Sequence, residues 1–134
     1  MYNSRGTISI QAIILAFIVV IAVSTLLLAL SSATVASADK IRLSDIQQMS
    51  AALKLFFDEN GFYPSSDGSS VPVGITSYLD FWPQAPKRQC DKTAGIYLYA
   101  PKSSGQDYNL KFCLEAGAGN LAAGAHTVSS KGID

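Results

Sequence analysis

The side chains that usually perform catalysis are few and scattered in this 134-residue chain. His126 is the only histidine and lies in a Gly/Ala-rich tail, where a surface or turn position is expected rather than a general base. The adjacent acids Asp58 and Glu59 are a weak candidate for acid/base chemistry or calcium binding, and we expect them to end a helix. The Gly-Ala-Gly segment at 117–119 lacks the strand, helix and lysine of a phosphate-binding loop. We predict that the chain is not an enzyme and that it uses no cofactor or metal.

The only two cysteines are Cys90 and Cys113. A cysteine pair in a small domain that follows an apolar segment is typical of a disulfide in an oxidising compartment. Closing this loop of about two dozen residues would stabilise the domain by roughly 3 kcal/mol. Two buried thiols are the alternative. The sequence contains neither a CxxC redox motif nor a second Cys/His pair for zinc.

The charge balance gives no support to a nucleic-acid or anionic-lipid partner. Ten basic and ten acidic residues cancel, and no long run of either sign occurs. The small basic cluster of Lys87, Arg88 and Lys92 is expected to be a solvated loop rather than a DNA-binding site. We therefore predict no specific nucleic-acid partner.

The dominant feature of the sequence is a long apolar segment near its start. Residues 7–38 contain no Asp, Glu, Lys or Arg, and between residues 12 and 30 only Ser24 and Thr25 are polar. A helix of this length can cross the ~30 Å hydrocarbon core of a bilayer. Residues 1–6 precede it as a short polar leader with one charge, at Arg5. We predict a transmembrane helix over residues 7–38.

An amphipathic helix is predicted over residues 39–60, without a glycine or proline between it and the apolar segment. Apolar residues recur at steps of three and four, at Leu43, Ile46, Met49, Leu53 and Phe56 or Phe57. The opposite side carries Lys40, Ser44, Gln47, Lys54 and Asp58. Asn60-Gly61 is a helix stop, with Pro64 just beyond. A continuous helix from Ile8 to Asp58 would measure about 75 Å.

The remaining residues, 61–134, form a β-rich head in this interpretation. They contain all five prolines and nine of the ten glycines, a composition typical of turns and strands. Residues 95–100 and 107–114 are predicted to be antiparallel strands joined by residues 101–106, and a third short strand is predicted near residues 126–128. The apolar side chains that share one face of the second strand are Tyr108, Leu110, Phe112 and Leu114. The expected fold class is α+β, one helix packed on a small antiparallel sheet.

The N-terminal half of the chain resembles a known family. Arg5-Gly6 stands directly before the apolar helix, and the amphipathic sequence from Ile46 to Pro64 follows it. This arrangement is similar to that of type IV pilins and the related pseudopilins, and it covers about half of the chain. The head, with the sequence Phe-Cys-Leu-Glu at 112–115 and a Gly-rich tail, is similar in style.

The resemblance implies a pilin-like fold and a structural role. Prepilin peptidase would remove the leader after Gly6, so that Thr7 becomes the mature N-terminus with a free or methylated amine. The protein would cross the inner membrane once before assembly. Its apolar helices would then leave the lipid and self-associate, with the pilus assembly machinery, into a helical filament outside the cell.

Three positions depart from the pattern of that family. Gln11 stands where the family usually has a glutamate that neutralises a neighbour's N-terminal amine. The residues from Val19 to Ala29 lack the family's common mid-helix proline, so local melting of the helix is less expected. Thr7 replaces a frequent phenylalanine. An amide at residue 11 accepts a hydrogen bond but supplies no counter-charge. Either Gln11 accepts a bond from the amine of its own or a neighbouring chain, or the subunit occupies a place, such as a tip or a mixed filament, where another subunit's carboxylate supplies the charge.

Two other functions fit parts of the sequence. The same residues suit a subunit of a secretion-system or competence pseudopilus. Alternatively, Ala36-Ser37-Ala38 fits a signal-peptidase site, which would release residues 39–134 as a freely secreted, disulfide-bonded domain. Against the secreted domain, the apolar run exceeds an ordinary signal-peptide core of roughly 7–15 residues, and Arg5 is its only leader charge.

Overall fold

The computed structural model describes residues 10–86, 97–102 and 104–134. Its first element is the helix α1, Ile10–Asn60, of 51 residues. No glycine or proline interrupts this stretch, so each interior amide can donate to the carbonyl four residues earlier. α1 ends at the predicted stop, because Gly61 adopts a φ of +77° and its N–H donates to the carbonyl of Phe57 across 2.8 Å.

The chain separates into two units, residues 1–34 and residues 35–134. In the described part of the first unit, residues 10–34, every residue belongs to α1 and is exposed. In the second unit, burial along α1 starts at Ala38 and follows a helical repeat through Asp39, Arg42, Ile46, Met49, Ala52 and Leu53. The predicted apolar stripe is confirmed by Ile46, Met49 and Leu53, which are at most 1% exposed.

The second unit also contains a four-stranded antiparallel sheet with strands in chain order. The strands are β1 (Leu98–Pro101), β2 (Tyr108–Leu114), β3 (Gly124–Ser129) and β4 (Gly132–Ile133). β1 and β2 pair as the sequence predicted, and the third predicted strand is β3. Residues 95 and 96 of the first predicted strand lie outside the described residues. β4 was not predicted, since a two-residue strand has no alternation to detect.

The predicted alternation along β2 places its apolar side chains in the core. Tyr108, Leu110, Phe112 and Leu114 are each at most 3% exposed. They share one core with Ile46, Met49 and Leu53 of α1, so this part of the helix packs on the sheet. Burying each such side chain contributes about 1.5–3 kcal/mol relative to exposure. The result is the expected α+β, pilin-like layout of one long N-terminal helix and a small antiparallel sheet.

Tyrosines close the end of the core that faces the loop after α1. The ring of Tyr108 lies 4.7 Å from that of Tyr63 and 5.9 Å from that of Tyr99. The hydroxyl of Tyr99 donates to the carbonyl of Pro64 across 2.7 Å. These contacts hold the Pro-containing loop against β1 and β2, which explains how a segment without regular strands becomes part of the core.

Candidate functional site

The described residues of α1 before residue 35 present a continuous apolar surface. Exposed fractions include 69% for Phe17 and 71% for Leu28, and none of the large apolar side chains from Ile10 to Leu30 is buried. The stretch is long and apolar enough to cross a membrane, a property that a signal sequence near an N-terminus shares. Such a surface is unfavourable in water, so it needs lipid or protein around it.

The two hydroxyl groups between residues 12 and 30 donate to the helix backbone. Ser24 Oγ donates to the carbonyl of Val20 across 2.7 Å, and Thr25 Oγ1 donates to the carbonyl of Ala22 across 2.9 Å. Each hydroxyl proton thus has an acceptor within its own helix and needs neither water nor a second protein chain. These two hydroxyl groups therefore do not oppose removal of the segment from water.

Gln11 is an exposed residue in the first turn of α1 as described. It is the first amide side chain of a segment, residues 10–38, that carries no charged side chain. The predicted cleavage residues Gly6 and Thr7 lie outside the described residues. Cleavage between them, and contact of Gln11 with the new amine, stay predictions.

Cys113 lies in β2 opposite Ala125 of β3. It is on the other face of the strand from Leu110 and Phe112, yet it is only 3% exposed. No free cysteine occurs among the described residues. Cys90 and the basic cluster 87–92 lie outside that part of the chain, so the predicted Cys90–Cys113 bond stays a prediction.

The remaining residues considered for catalysis, His126, Asp58 and Glu59, make contacts that stabilise the fold. His126 packs against Phe112 with ring centroids 5.4 Å apart, and its Nε2 lies 2.8 Å from the carbonyl oxygen of Ala122. The two acids at the end of α1 serve different partners: Lys54 donates to Asp58 across 2.9 Å, and Glu59 accepts a bond from Tyr78 across 2.6 Å. These contacts give the three residues roles in packing and helix surface pairing.

A buried carboxylate that was not predicted from the sequence lies at the start of the buried part of α1. Asp39 is fully buried. Its Oδ1 accepts bonds from the backbone N–H of Glu115 at 2.9 Å and from Nη1 of Arg42 at 2.7 Å. Its Oδ2 accepts from the backbone N–H groups of Ala116 at 2.7 Å and Gly117 at 3.0 Å. Both oxygens are therefore fully engaged, which offsets the cost of burying the charge.

Arg42 is the cation of this carboxylate cluster, which consists of Asp39, Arg42 and Glu115. Its Nη2 donates to Oε1 of Glu115 across 2.9 Å, and its side chain is 3% exposed against 19% for that of Glu115. One guanidinium thus contacts two carboxylates, one from α1 and one from the residue directly after β2. The second unit acquires a polar tie between helix and sheet in addition to its apolar core.

The turn that supplies the backbone donors depends on Gly117. Its φ is +97°, and an added Cβ would lie 2.6 Å from the carbonyl oxygen of Leu121. Ala118 and Leu121 close the turn through two backbone bonds of 3.1 Å each. A side chain at Gly117 would displace the turn, so only glycine lets these amides converge on Asp39.

Electrostatics keep the Asp39 carboxyl ionised. Burial raises its pKa, whereas bonds from the backbone of Glu115, Ala116 and Gly117 and from the side chain of Arg42 lower it, and the net pKa is below the ordinary 3.8. Four donors thus outweigh desolvation. A stable buried anion is suited to holding structure and is a poor proton carrier near neutral pH.

A signal for the carboxylate cluster was present in the sequence. Asp39 and Arg42 continue the three- and four-residue steps of Ile46 and Met49 toward the N-terminus, so two opposite charges occupy the buried stripe. Charged residues at stripe positions are buried only when paired. Their partner Glu115 had no such signal, because no local pattern shows which loop meets the helix.

No family model, curated protein or solved structure matches this chain. Its function is therefore argued from the apolar surface of α1 and from the fold of the second unit.

Proposed function

We propose that this chain is a structural subunit of a type IV pilus-like filament, a pilin that polymerises through the apolar part of α1. The observation that carries the proposal is the uncharged, exposed apolar surface of residues 10–30. It belongs to the same helix whose later residues pack on a small antiparallel sheet. The Arg5-Gly6 leader and the amphipathic sequence through Pro64 add the family resemblance.

The physical basis of assembly is the burial of this surface by copies of itself. Each exposed Leu, Ile or Phe that leaves water contributes about 1.5–3 kcal/mol. In lipid the same side chains are already solvated, so extraction costs little if neighbouring helices replace the acyl chains. Polymerisation then requires no covalent chemistry from this protein beyond removal of its leader.

In this proposal the protein crosses the inner membrane once after synthesis. Prepilin peptidase cleaves after Gly6, the Thr7 amine becomes the mature terminus, and the assembly machinery moves the subunit into an extracellular filament. A secretion-system or competence pseudopilus would use the same surface and the same processing. The self-associating helix is the element shared by all three assemblies.

A freely secreted domain is the second candidate, and one observation favours it. Residues 35–134 form a compact unit of their own, which is what a product cleaved near Ala38 would contain. Cleavage there would cut within α1 between two buried residues, Ala38 and Asp39, and leave a new ammonium beside the Asp39 carboxylate.

The mature N-terminus separates these candidates. The full chain is produced together with a prepilin peptidase in a Gram-negative host, and the intact mass of the membrane and culture fractions is measured. We expect a mature start at Thr7, loss of processing in Gly6→Val, and normal processing in the leader control Ser4→Ala. A start at Asp39 in the culture medium would replace the pilin proposal with the secreted domain.

Assembly itself is tested on the apolar surface with two leucines of one helix. Leu27 and Leu55 are 62% and 53% exposed, in the first and second unit respectively. Leu27→Asn places an amide among the packed apolar helices, so we expect sheared filaments to disappear while the processed subunit remains in the membrane. Leu55→Asn changes an exposed residue of α1 in the second unit and is expected to leave filaments intact. Equal filament yields from both variants would contradict assembly through residues 10–30.

A further inference from the structure

The backbone N–H groups of Glu115, Ala116 and Gly117 converge on one point, and the guanidinium of Arg42 points at the same place. The four distances to the two oxygens of Asp39 lie between 2.7 and 3.0 Å. Two donors address each oxygen, which is the arrangement that a carboxylate satisfies and that a neutral amide does not.

These donors are held in place by contacts that do not involve Asp39. The turn after β2 is closed by the two bonds between Ala118 and Leu121 and by the positive φ of Gly117. Arg42 is fixed by its bond to Glu115, and Glu115 directly follows β2. The positions of the three amides are therefore set by the sheet and the turn, that of the guanidinium is set by its bond to Glu115, and the carboxylate is their ligand.

We propose that the amides of residues 115–117 and the Arg42 guanidinium form a preorganised binding site for a small carboxylate, which the protein fills with its own Asp39 side chain. A free ligand of this site would be a small monocarboxylate. Asp39 acts as a tethered ligand that ties the first buried turn of α1 to the loop after β2. This role concerns the second unit alone and does not depend on whether the chain forms filaments.

The proposal predicts that an emptied site accepts a free ligand. Asp39→Ala removes the carboxylate and leaves the backbone N–H groups of residues 115–117 without the acceptor they have in wild type, a costly state in a buried position. The site itself is buried, but Ala116 of the loop that covers it is exposed and Glu115 and Gly117 are half-buried, so formate would enter when this loop opens. Formate has the size of the missing group, whereas benzoate shares its charge but exceeds the space that the alanine leaves.

The experiment uses the full chain in detergent micelles and follows amide hydrogen exchange at residues 115–117. Asp39→Ala is titrated with sodium formate at constant ionic strength set by sodium chloride. We expect formate to slow exchange of these three amides in a saturable manner and benzoate to have no effect. Wild type, whose site is filled, and the control Asp58→Ala, which removes an exposed carboxylate of the same helix, should not respond.

A second variant covers the case in which Asp39→Ala does not fold. Asp39→Asn keeps the shape of the side chain but turns an NH₂ group toward one pair of donors. We expect it to fold with exchange at two or more of the three amides about tenfold faster than in wild type, as one charge-assisted acceptor is lost. Unchanged exchange in Asp39→Asn, or a formate response of equal size in wild type and Asp39→Ala, would overturn the proposal.

Discussion

Gly117 donates its backbone N–H to Oδ2 of Asp39 across 3.0 Å, although 78 positions separate the two residues in the chain. The contact joins the first buried turn of α1 to the turn that follows β2. It exists because glycine alone tolerates the φ of +97° at this position with a carbonyl oxygen so close by. A residue without a side chain thus decides whether a buried charge has its partners.

Substituting Gly117 tests this dependence directly. We expect Gly117→Ala to destabilise the head by about 2–4 kcal/mol, since the added methyl group meets backbone atoms and the φ is unfavourable. The matched control is Gly119→Ala, whose φ is also positive but whose Cβ would approach only a flexible Leu43 methyl at 3.8 Å. Its cost should be about 1 kcal/mol. Chemical unfolding followed by Trp82 fluorescence compares the two, and equal losses would contradict a special role for Gly117.

Removing the cation of the carboxylate cluster should be far more damaging than removing a surface cation. Arg42→Met leaves the buried Asp39 charge without its guanidinium and should cost about 3–5 kcal/mol. Lys54→Met removes one side of an ion pair whose partners are 72% and 52% exposed, so the expected cost is at most about 0.5 kcal/mol. Denaturant unfolding of the full chain measures the change in unfolding free energy for both variants. Similar losses of unfolding free energy in the two variants would show that burial does not determine how much each ion pair contributes to stability.

The contribution of Asp39 to the stability of the head should change with pH only in acid. Burial raises the pKa of this carboxyl, but its four hydrogen bonds lower it by more, so the folded pKa lies below the unfolded one. Its stabilisation is complete above the unfolded pKa and is lost as pH falls through the folded pKa, because the unfolded chain takes up the proton first. The stability gap between wild type and Asp39→Asn should stay constant from pH 7 to about pH 5 and narrow below that.

Asp107 provides the comparison for this acid transition. The side chain of Lys102 and the backbone N–H of Ser130 lower its pKa as well, so Asp39→Asn should retain part of the acid dependence. Asp107→Asn should remove a further share of that dependence. A gap between wild type and Asp39→Asn that is the same at pH 3 and pH 7 would mean that folding does not lower the pKa of Asp39.

The predicted bond between Cys90 and Cys113 is tested by thiol labelling. Unfolded, unreduced protein should react with no thiol reagent, whereas reduced protein should bind two equivalents, one for each cysteine of the sequence. Cys113→Ser should cost about 2–5 kcal/mol and leave the head sensitive to protease. Two reactive thiols before reduction would exclude the bond and favour two buried thiols.

Gln11 should affect docking of subunits and not their processing. An ammonium at Thr7 that enters an apolar filament core loses several kcal/mol of solvation unless an acceptor meets it. We expect Gln11→Leu to abolish incorporation with normal cleavage and membrane insertion, and Gln11→Glu to be tolerated or to improve it. Subunit content of sheared filaments measures both. Normal assembly of Gln11→Leu would remove this position from the docking mechanism.

Sequence periodicity predicted the parts of the fold in which neighbours along the chain share an environment. The steps of Ile46, Met49 and Leu53 identified the buried side of α1, and the alternation from Tyr108 to Leu114 identified the core face of β2. Both patterns arise because an apolar surface must face inward over several turns or residues. The helix stop at Gly61 followed from local backbone preference in the same way.

The carboxylate cluster escaped prediction because its contacts are not local. Asp39 and Arg42 share a helix turn, but their burial depends on a loop 76 to 78 positions away. Nothing in the residues near Glu115 indicates that its amide faces a helix. The 3-10 helix Ile75–Ser77 was missed for a related reason, since it is defined by packing of Ile75 into the core rather than by any repeat.

The backbone origin of the Asp39 contacts also determines which substitutions the head can absorb over evolutionary time. Every residue except proline supplies a peptide N–H, so the exposed Ala116 can change to any other residue without losing its bond to Oδ2. Selection on the contact between α1 and this turn would act on two distant residues, an acid at position 39 and a glycine at position 117. Homologues would then keep or lose the acid and the glycine together, while the residue at position 116 varies.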